Sequence, residues 1–197
     1  MMRAAGVILA ALLAGVVVFA SGLATTSTHG QAQYASRAGQ SAALFMQMMP
    51  VLTSPRCMNC HTATDFPRQD DDRHRHLMLI MRGADDQGSP ALRCQACHLE
   101  ANSPNSGVPG APEWKLAPLS MAWEGLSAGA LCRTILNPQK GKQTLDTIVA
   151  HMQTPLVQWA WSPGVDLDGK ARTLPPVSSE AFIRLVRAWV DSGAWCP

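Results

Sequence analysis

The chain has little excess charge of either sign, with 16 Lys and Arg against 14 Asp and Glu. So near a balance gives no electrostatic footprint for a nucleic acid or an anionic surface, and no nucleic-acid partner is expected. Strand-length alternation of apolar and polar residues is missing, which argues against a sheet-based architecture. A calcium loop is missing too: Asp166-Leu167-Asp168-Gly169 has the right opening, but no Glu follows at the position such a loop requires. Internal repetition is confined to one five-residue pattern that occurs twice.

That pattern is Cys57-Met58-Asn59-Cys60-His61 and Cys94-Gln95-Ala96-Cys97-His98. A C-x-x-C-H motif attaches a c-type haem because two thiols separated by two residues reach the two vinyl groups on one edge of the porphyrin. The adjoining imidazole is then left beneath the iron as its axial ligand. Zinc and dithiol chemistry are the competing uses of paired Cys. Zinc knuckles commonly stand about 15–20 residues apart, whereas 33 residues separate Cys60 from Cys94. Neither use requires a His after both pairs. The expected cofactors are therefore two haem c groups, held by Cys57, Cys60 and His61 and by Cys94, Cys97 and His98.

The amino terminus is consistent with the export that covalent haem attachment needs. Arg3 precedes an apolar run from Ala4 to Ala20, and small residues precede cleavage points after Ala24 or Ala32. Residues 1–32 are read as a signal peptide or N-terminal membrane anchor, with cleavage preferred, and 33–197 as a single dihaem cytochrome c domain. The expected location is periplasmic, soluble or N-terminally anchored. Removing residues 1–32 leaves about 165 residues, enough for one domain with a modest core. Motifs only 37 residues apart cannot each wrap a haem alone, so both belong to one fold. Cys132 and Cys196 remain over, and in an oxidising compartment they are expected to form a disulfide.

The fold class expected is mostly α, with cytochrome c-like helices and long loops wrapped around two covalently bound haems. Helix formers run from Ser36 to Met49 and stop at Pro50, with Met46, Met48 and Met49 as core or haem-edge packing. Asp70-Asp71-Asp72 reads as the solvated start of a short helix to Met81, closed by Gly83. A Pro- and Gly-rich ordered loop spans Asn102 to Ser120, with Trp114, Met121 and Trp123 expected against a haem face. Further helices are expected over Ser127 to Leu136, Thr144 to Gln153 and Ser179 to Ser192. Phe182, Leu185, Val186, Trp189 and Val190 give the last a stripe able to pack on the N-terminal helix. Trp159 to Gly164 is a turn whose aromatics face a haem edge or the C-terminal helix.

The sixth iron ligand separates a carrier from a catalyst. Outside the motifs and the export segment, the histidines are His74, His76 and His151. His76 is preferred to His74 because it shares a side with Ile80, while His74 lies nearer the charged start. On the Thr144 to Gln153 segment, Met152 is central to the apolar stripe and His151 lies on its flank. Geometry favours Met152 and ligand chemistry favours His151, which is slightly preferred. Met121, after the Pro-rich loop, is a third alternative, while Met78 and Met81 are read as core.

The two motifs resemble those of dihaem c-type cytochromes. A weaker likeness covers much of Arg82 to Pro197. It runs through Arg93-Cys94-Gln95-Ala96-Cys97-His98, Val108-Pro109-Gly110-Ala111-Pro112, Leu116-Ala117-Pro118-Leu119-Ser120-Met121-Ala122-Trp123 and Trp189-Val190-Asp191-Ser192-Gly193-Ala194. These segments resemble small bacterial cytochromes associated with isoquinoline 1-oxidoreductase-type molybdenum hydroxylases. The resemblance implies an electron carrier, or the electron-transfer subunit of an oxidoreductase complex, between a redox enzyme and the respiratory chain. No molybdenum or flavin site is legible, and the named substrate does not carry over. The alternative is a small dihaem enzyme of peroxidase type with one open iron, for which Glu113 and Glu124 are the nominal acid or base.

Overall fold

The computed structural model describes residues 20–197 except Leu167, with side chains from Gly30 onward. Most of the expected export segment lies outside the described residues. In chain order the α-helices are α1 (Ala20–Leu52), α2 (Pro55–Met58), α3 (Ala128–Ile135), α4 (Pro138–Gly141), α5 (Leu145–His151), α6 (Pro155–Gln158) and α7 (Ser179–Asp191). Among the described residues the strands form two short hairpins, β1 (Arg68–Gln69) with β2 (His74–Arg75) and β3 (Gly88–Ser89) with β4 (Leu92–Arg93). The architecture is mostly helical, with long irregular segments between residues 59 and 127. Among the described residues, no helix is long and apolar enough to cross a membrane.

Helix α1 enters the core only from Ser41, where Ser41, Phe45, Met48 and Leu52 follow one another at helical spacing and are buried. Met49 is half-buried against the same cluster, but Met46 is exposed and takes no part in the core. The helix does not stop at Pro50. It continues to Leu52, and the Thr53 N–H still donates to the Met49 carbonyl at 2.9 Å. A Pro inside a helix costs about 3 kcal/mol, and full burial of an aliphatic side chain returns roughly 1.5–3 kcal/mol. Val51 and Leu52, both buried, offset the lost hydrogen bond.

Helix α7 packs along α1, as its apolar stripe predicts. Phe182, Val186 and Trp189 are buried, and the Trp189 ring lies 5.3 Å from Phe45. Ser178 caps α7 by accepting from the Ala181 N–H at 3.2 Å. The tail returns over α1, where the Trp195 N–H donates to Ser41 Oγ at 2.9 Å and the Trp195 carbonyl accepts from Trp189 Nε1 at 3.0 Å. Helix α3, capped by Ser127, adds Leu131, Cys132 and Ile135 to the core. A disulfide joins Cys132 to Cys196, with Cα atoms 5.6 Å apart.

The segment from Asp70 to Met81 is not a helix. Asp70, Arg73, Met78 and Leu79 have φ between 54° and 60°, which no run of right-handed helix tolerates. The acidic residues bond elsewhere: Asp70 pairs with Arg172 at 2.9 Å, and Asp71 accepts from the Thr173 N–H and hydroxyl. Asp72 bonds locally to His74 Nδ1 at 2.6 Å. The partners of Asp70 and Asp71 lie about a hundred residues away, beyond any local helix rule. Met78 and Met81 are exposed rather than core. Helices α3 and α5 end just before Pro138 and Pro155, as expected: the residues preceding them, Asn137 and Thr154, are extended, and each Pro opens the next short helix, where a missing N–H has no cost.

The disulfide closes a loop of 64 residues, which in the chain-entropy account is worth about 4 kcal/mol. The double variant Cys132→Ala/Cys196→Ala is expected to lose roughly that amount in urea unfolding. An unchanged midpoint would exclude a stabilising role for the bond.

Candidate functional site

Both C-x-x-C-H segments form the same backbone turn. In the first, the Cys60 and His61 N–H groups return to the Cys57 carbonyl at 3.3 and 3.1 Å. In the second, the Cys97 and His98 N–H groups return to the Cys94 carbonyl at 3.2 and 2.9 Å. One helical turn sets residues i, i+3 and i+4 on a common side, so each turn gathers its two thiols and its imidazole.

The two imidazoles are held alike. His61 Nδ1 lies 2.8 Å from the Met121 carbonyl and His98 Nδ1 lies 2.7 Å from the Pro109 carbonyl. A carbonyl only accepts, so Nδ1 carries the proton in each ring and Nε2 keeps its lone pair. Each ring also stacks on an indole: His61 on Trp123 at 3.4 Å and His98 on Trp114 at 4.4 Å. These two Trp residues back the imidazoles. Burial is the main cause that pushes His61 down to about 4, outweighing the Met121 carbonyl, while His151 and Arg82 act in the same direction as burial. His98 is also lowered, first by burial and then by His76 and Arg172. Both are neutral at pH 7, the form that binds a metal.

The remaining candidates divide between the two turns. His76 lies at the start of a 3-10 turn, Leu77–Leu79, with its ring 5.9 Å from that of His98. Its Nδ1 is 2.6 Å from the Leu77 carbonyl, so the same tautomer rule leaves Nε2 free. His151 ends α5, half-buried, lowered by burial and by Lys115, and close enough to His61 to act on its protonation. Met152, next to it, is half-buried against the core. Met121 contributes its carbonyl on the Nδ1 side of His61, and its sulfur lies against Gly141. His74 is engaged with Asp72.

A cavity of about 620 Å³ lies between the turns. Cys60, Cys94, Cys97, His98 and His76 line it, with Trp114 and Trp159 among its walls. Asn59 Oδ1 and Arg68 Nε, on lining residues, are buried without a hydrogen-bond partner. Burial raises the Cys57 thiol to about 11 and Cys60 to about 12, with Cys57 and Cys94 adding to the shift of Cys60. Dithiol redox centres work through lowered thiol pKa values, so the first pair does not suit that use. A cavity of ligand size lined by three of the four thiols, by His98 and His76, and by residues with orphaned polar atoms fits a covalently tethered tetrapyrrole at the second turn, while Cys57 and His61 lie outside its lining.

Two residues that sequence reasoning missed as positioning groups hold this frame. Arg82, buried, donates to the carbonyls of Thr62, Thr64 and Ala117 and pairs with Asp86 at 2.6 Å. It joins the chain after the first turn to the segment before Met121. Glu124 accepts from the Ala63 N–H at 2.7 Å and from Thr62 Oγ at 3.3 Å and pairs with Arg73. Burial works to raise its pKa, but the Ala63 N–H and Arg73 prevail and the net shift is downward. Glu124 is thereby a fixed anion rather than a proton donor. Glu113 is exposed and pairs with Lys115 at 3.6 Å.

Glu124→Gln tests that frame. A folded-state pKa held below the ordinary value means the contribution is complete above the unfolded pKa, near 4.3, and is lost as pH falls through the folded one. The variant is expected to lose about 2 kcal/mol in urea unfolding at neutral pH. The gap should close in acid; a gap that widens there excludes the assignment. Comparisons of this chain with known protein families, with curated proteins and with solved structures find no match.

Proposed function

We propose that the protein is a dihaem c-type cytochrome that carries single electrons. The observation that carries this reading is the duplicated turn, in which each Cys pair precedes a neutral imidazole whose Nδ1–H is fixed by a backbone carbonyl. Anchoring the far nitrogen sets ring orientation and raises ligand basicity at the near one. Cys57, Cys60 and His61 hold one haem, and Cys94, Cys97 and His98 hold the other. Haem c, when bound there, supplies reversible one-electron iron chemistry.

The chain's own residues then have three tasks. His76 completes the site of His98, its ring being 5.9 Å away with Nε2 free. His151 is the candidate that completes the site of His61, favoured over Met152 by the better ligand chemistry of imidazole and over Met121 by the position of the Met121 backbone on the Nδ1 side of His61. Trp123 and Trp114 keep the proximal rings from turning. Cys60 and Cys94 line one cavity, which supports direct electron exchange between the two centres.

A peroxidase-type reading needs an open iron and a mobile proton, and the carboxylates near the Trp-rich loop favour it little. Glu124 is bound as an anion and Glu113 faces solvent. The partners we infer are a donor oxidoreductase, of molybdenum-hydroxylase kind by resemblance, and a respiratory-chain acceptor, in the periplasm.

The reading is tested by the absorption spectrum of the haem-matured protein, reduced with dithionite, with and without CO. Two low-spin haems that ignore CO are expected. His76→Ala and His151→Ala should each convert one haem to a high-spin, CO-binding form. CO binding by the unaltered protein would restore the enzyme reading, and an unchanged spectrum in either variant would remove that His as a ligand.

A further inference from the structure

Two arginines are buried among the described residues, Arg56 and Arg82. Arg82 has a carboxylate partner in Asp86. The half-buried arginines nearby are also paired, Arg73 with Glu124 and Arg172 with Asp70. Arg56 has no carboxylate at ion-pair distance among the described residues. Its Nε donates to the Thr173 carbonyl at 3.1 Å and its Nη2 to the Ser162 carbonyl at 2.9 Å. A guanidinium has five N–H groups, so three are left without a protein acceptor.

Arg56 also lines the cavity. It precedes Cys57 in sequence, yet its guanidinium lies 4.8 Å from the Trp159 ring centre, and Trp159 meets Trp114, which stacks on His98. Arg172, on the same wall, acts on the protonation of both Arg56 and His98. Asp70 and Asp71 face this corner as well, but Asp70 is bound to Arg172 and Asp71 to Thr173. A buried cation without a bound counter-charge is costly. The counter-charge must come from what fills the cavity.

Resting on the haem reading above, we propose that Arg56, with Arg172 beside it, is a carboxylate-binding corner that holds a propionate of the haem carried by Cys94, Cys97 and His98. A planar fork of donors suits a carboxylate better than any other group on such a ligand. Arg56 thus ties the chain entering the first turn to the ligand of the second, and its charge acts on the potential of that haem.

The test is potentiometric titration of haem-matured wild type, Arg56→Met and Arg56→Lys from roughly pH 5 to pH 8, with haem counted by pyridine haemochrome. Without Arg56 the carboxylate loses its counter-charge in an apolar site, so its pKa rises toward neutrality and it favours ferric iron. Arg56→Met should keep two haems and two low-spin spectra. One of its two midpoints should fall and become pH-dependent while the other stays, and Arg56→Lys should restore part of the loss. Two haems with both midpoints and pH profiles unchanged in Arg56→Met would overturn the assignment alone. No covalent haem in the wild-type protein would overturn the underlying reading and the assignment with it. Should Arg56→Met not fold, infrared redox difference spectra of wild type carrying ¹³C-carboxylate haem decide the matter. A propionate still ionised at about pH 5 supports the corner, and one that protonates between there and neutrality overturns it.

Discussion

Two backbone carbonyls, those of Met121 and Pro109, determine what the imidazoles of His61 and His98 can do. Because a carbonyl cannot donate, each interaction selects one tautomer and leaves one nitrogen with its lone pair. Both carbonyls belong to the irregular stretch between Asn102 and Trp123, so this loop is part of the site. That explains how it stays ordered with only one short 3-10 turn, Leu119–Met121, along its length. Asn102 Oδ1 accepts from the Gly110 N–H and from Trp159 Nε1, clamping the loop at its base. At Gly110 a β-carbon would come within 2.2 Å of the Ala101 carbonyl oxygen, so only glycine permits that closure.

Polar bonds, more than apolar burial, hold the loop to the turns. The Trp123 N–H donates to the His61 carbonyl at 2.9 Å and the Leu116 N–H to the Asp86 carbonyl at 2.9 Å, while Arg82 spans the gap between them. The helical core of α1, α3 and α7 supplies the rigid support, and the site is built in the segments that cross it. A frame of buried charge-assisted hydrogen bonds responds sharply to the loss of one member, since the partner is left buried and unsatisfied.

Much of this was legible in the sequence where the determinant is local. The two five-residue motifs, the helices that begin near Ser127 and Ser179 and the apolar stripe of α7 each follow from residues a few positions apart. Reading failed where a residue's partner is distant. Asp70 and Asp71 read as a helix start but are bound to Arg172 and Thr173. Glu124 read as a nominal acid or base, yet it is fixed by Ala63 and Arg73. Pro50 read as a stop because burial of Val51 and Leu52 is a tertiary effect. Nothing around Arg56 or Arg82 in the sequence marks either as buried.

The duplicated turns are alike in backbone but not in surroundings, and the difference bears on direction. Burial raises Cys57, Cys60 and also Cys94, all half-buried, while Cys97 at the end of the second pair is exposed and nearby Leu99 faces solvent. His61 is backed by a buried Trp123, whereas Trp114 behind His98 is only half-buried. Electron transfer to a partner needs a centre near the surface, and exchange within the chain needs one near the first. Under the proposed function the second turn meets both conditions, so it is the outward-facing centre and the first is the interior one. Arg56, rooted in the first turn and directed to the cavity of the second, places a fixed charge between them.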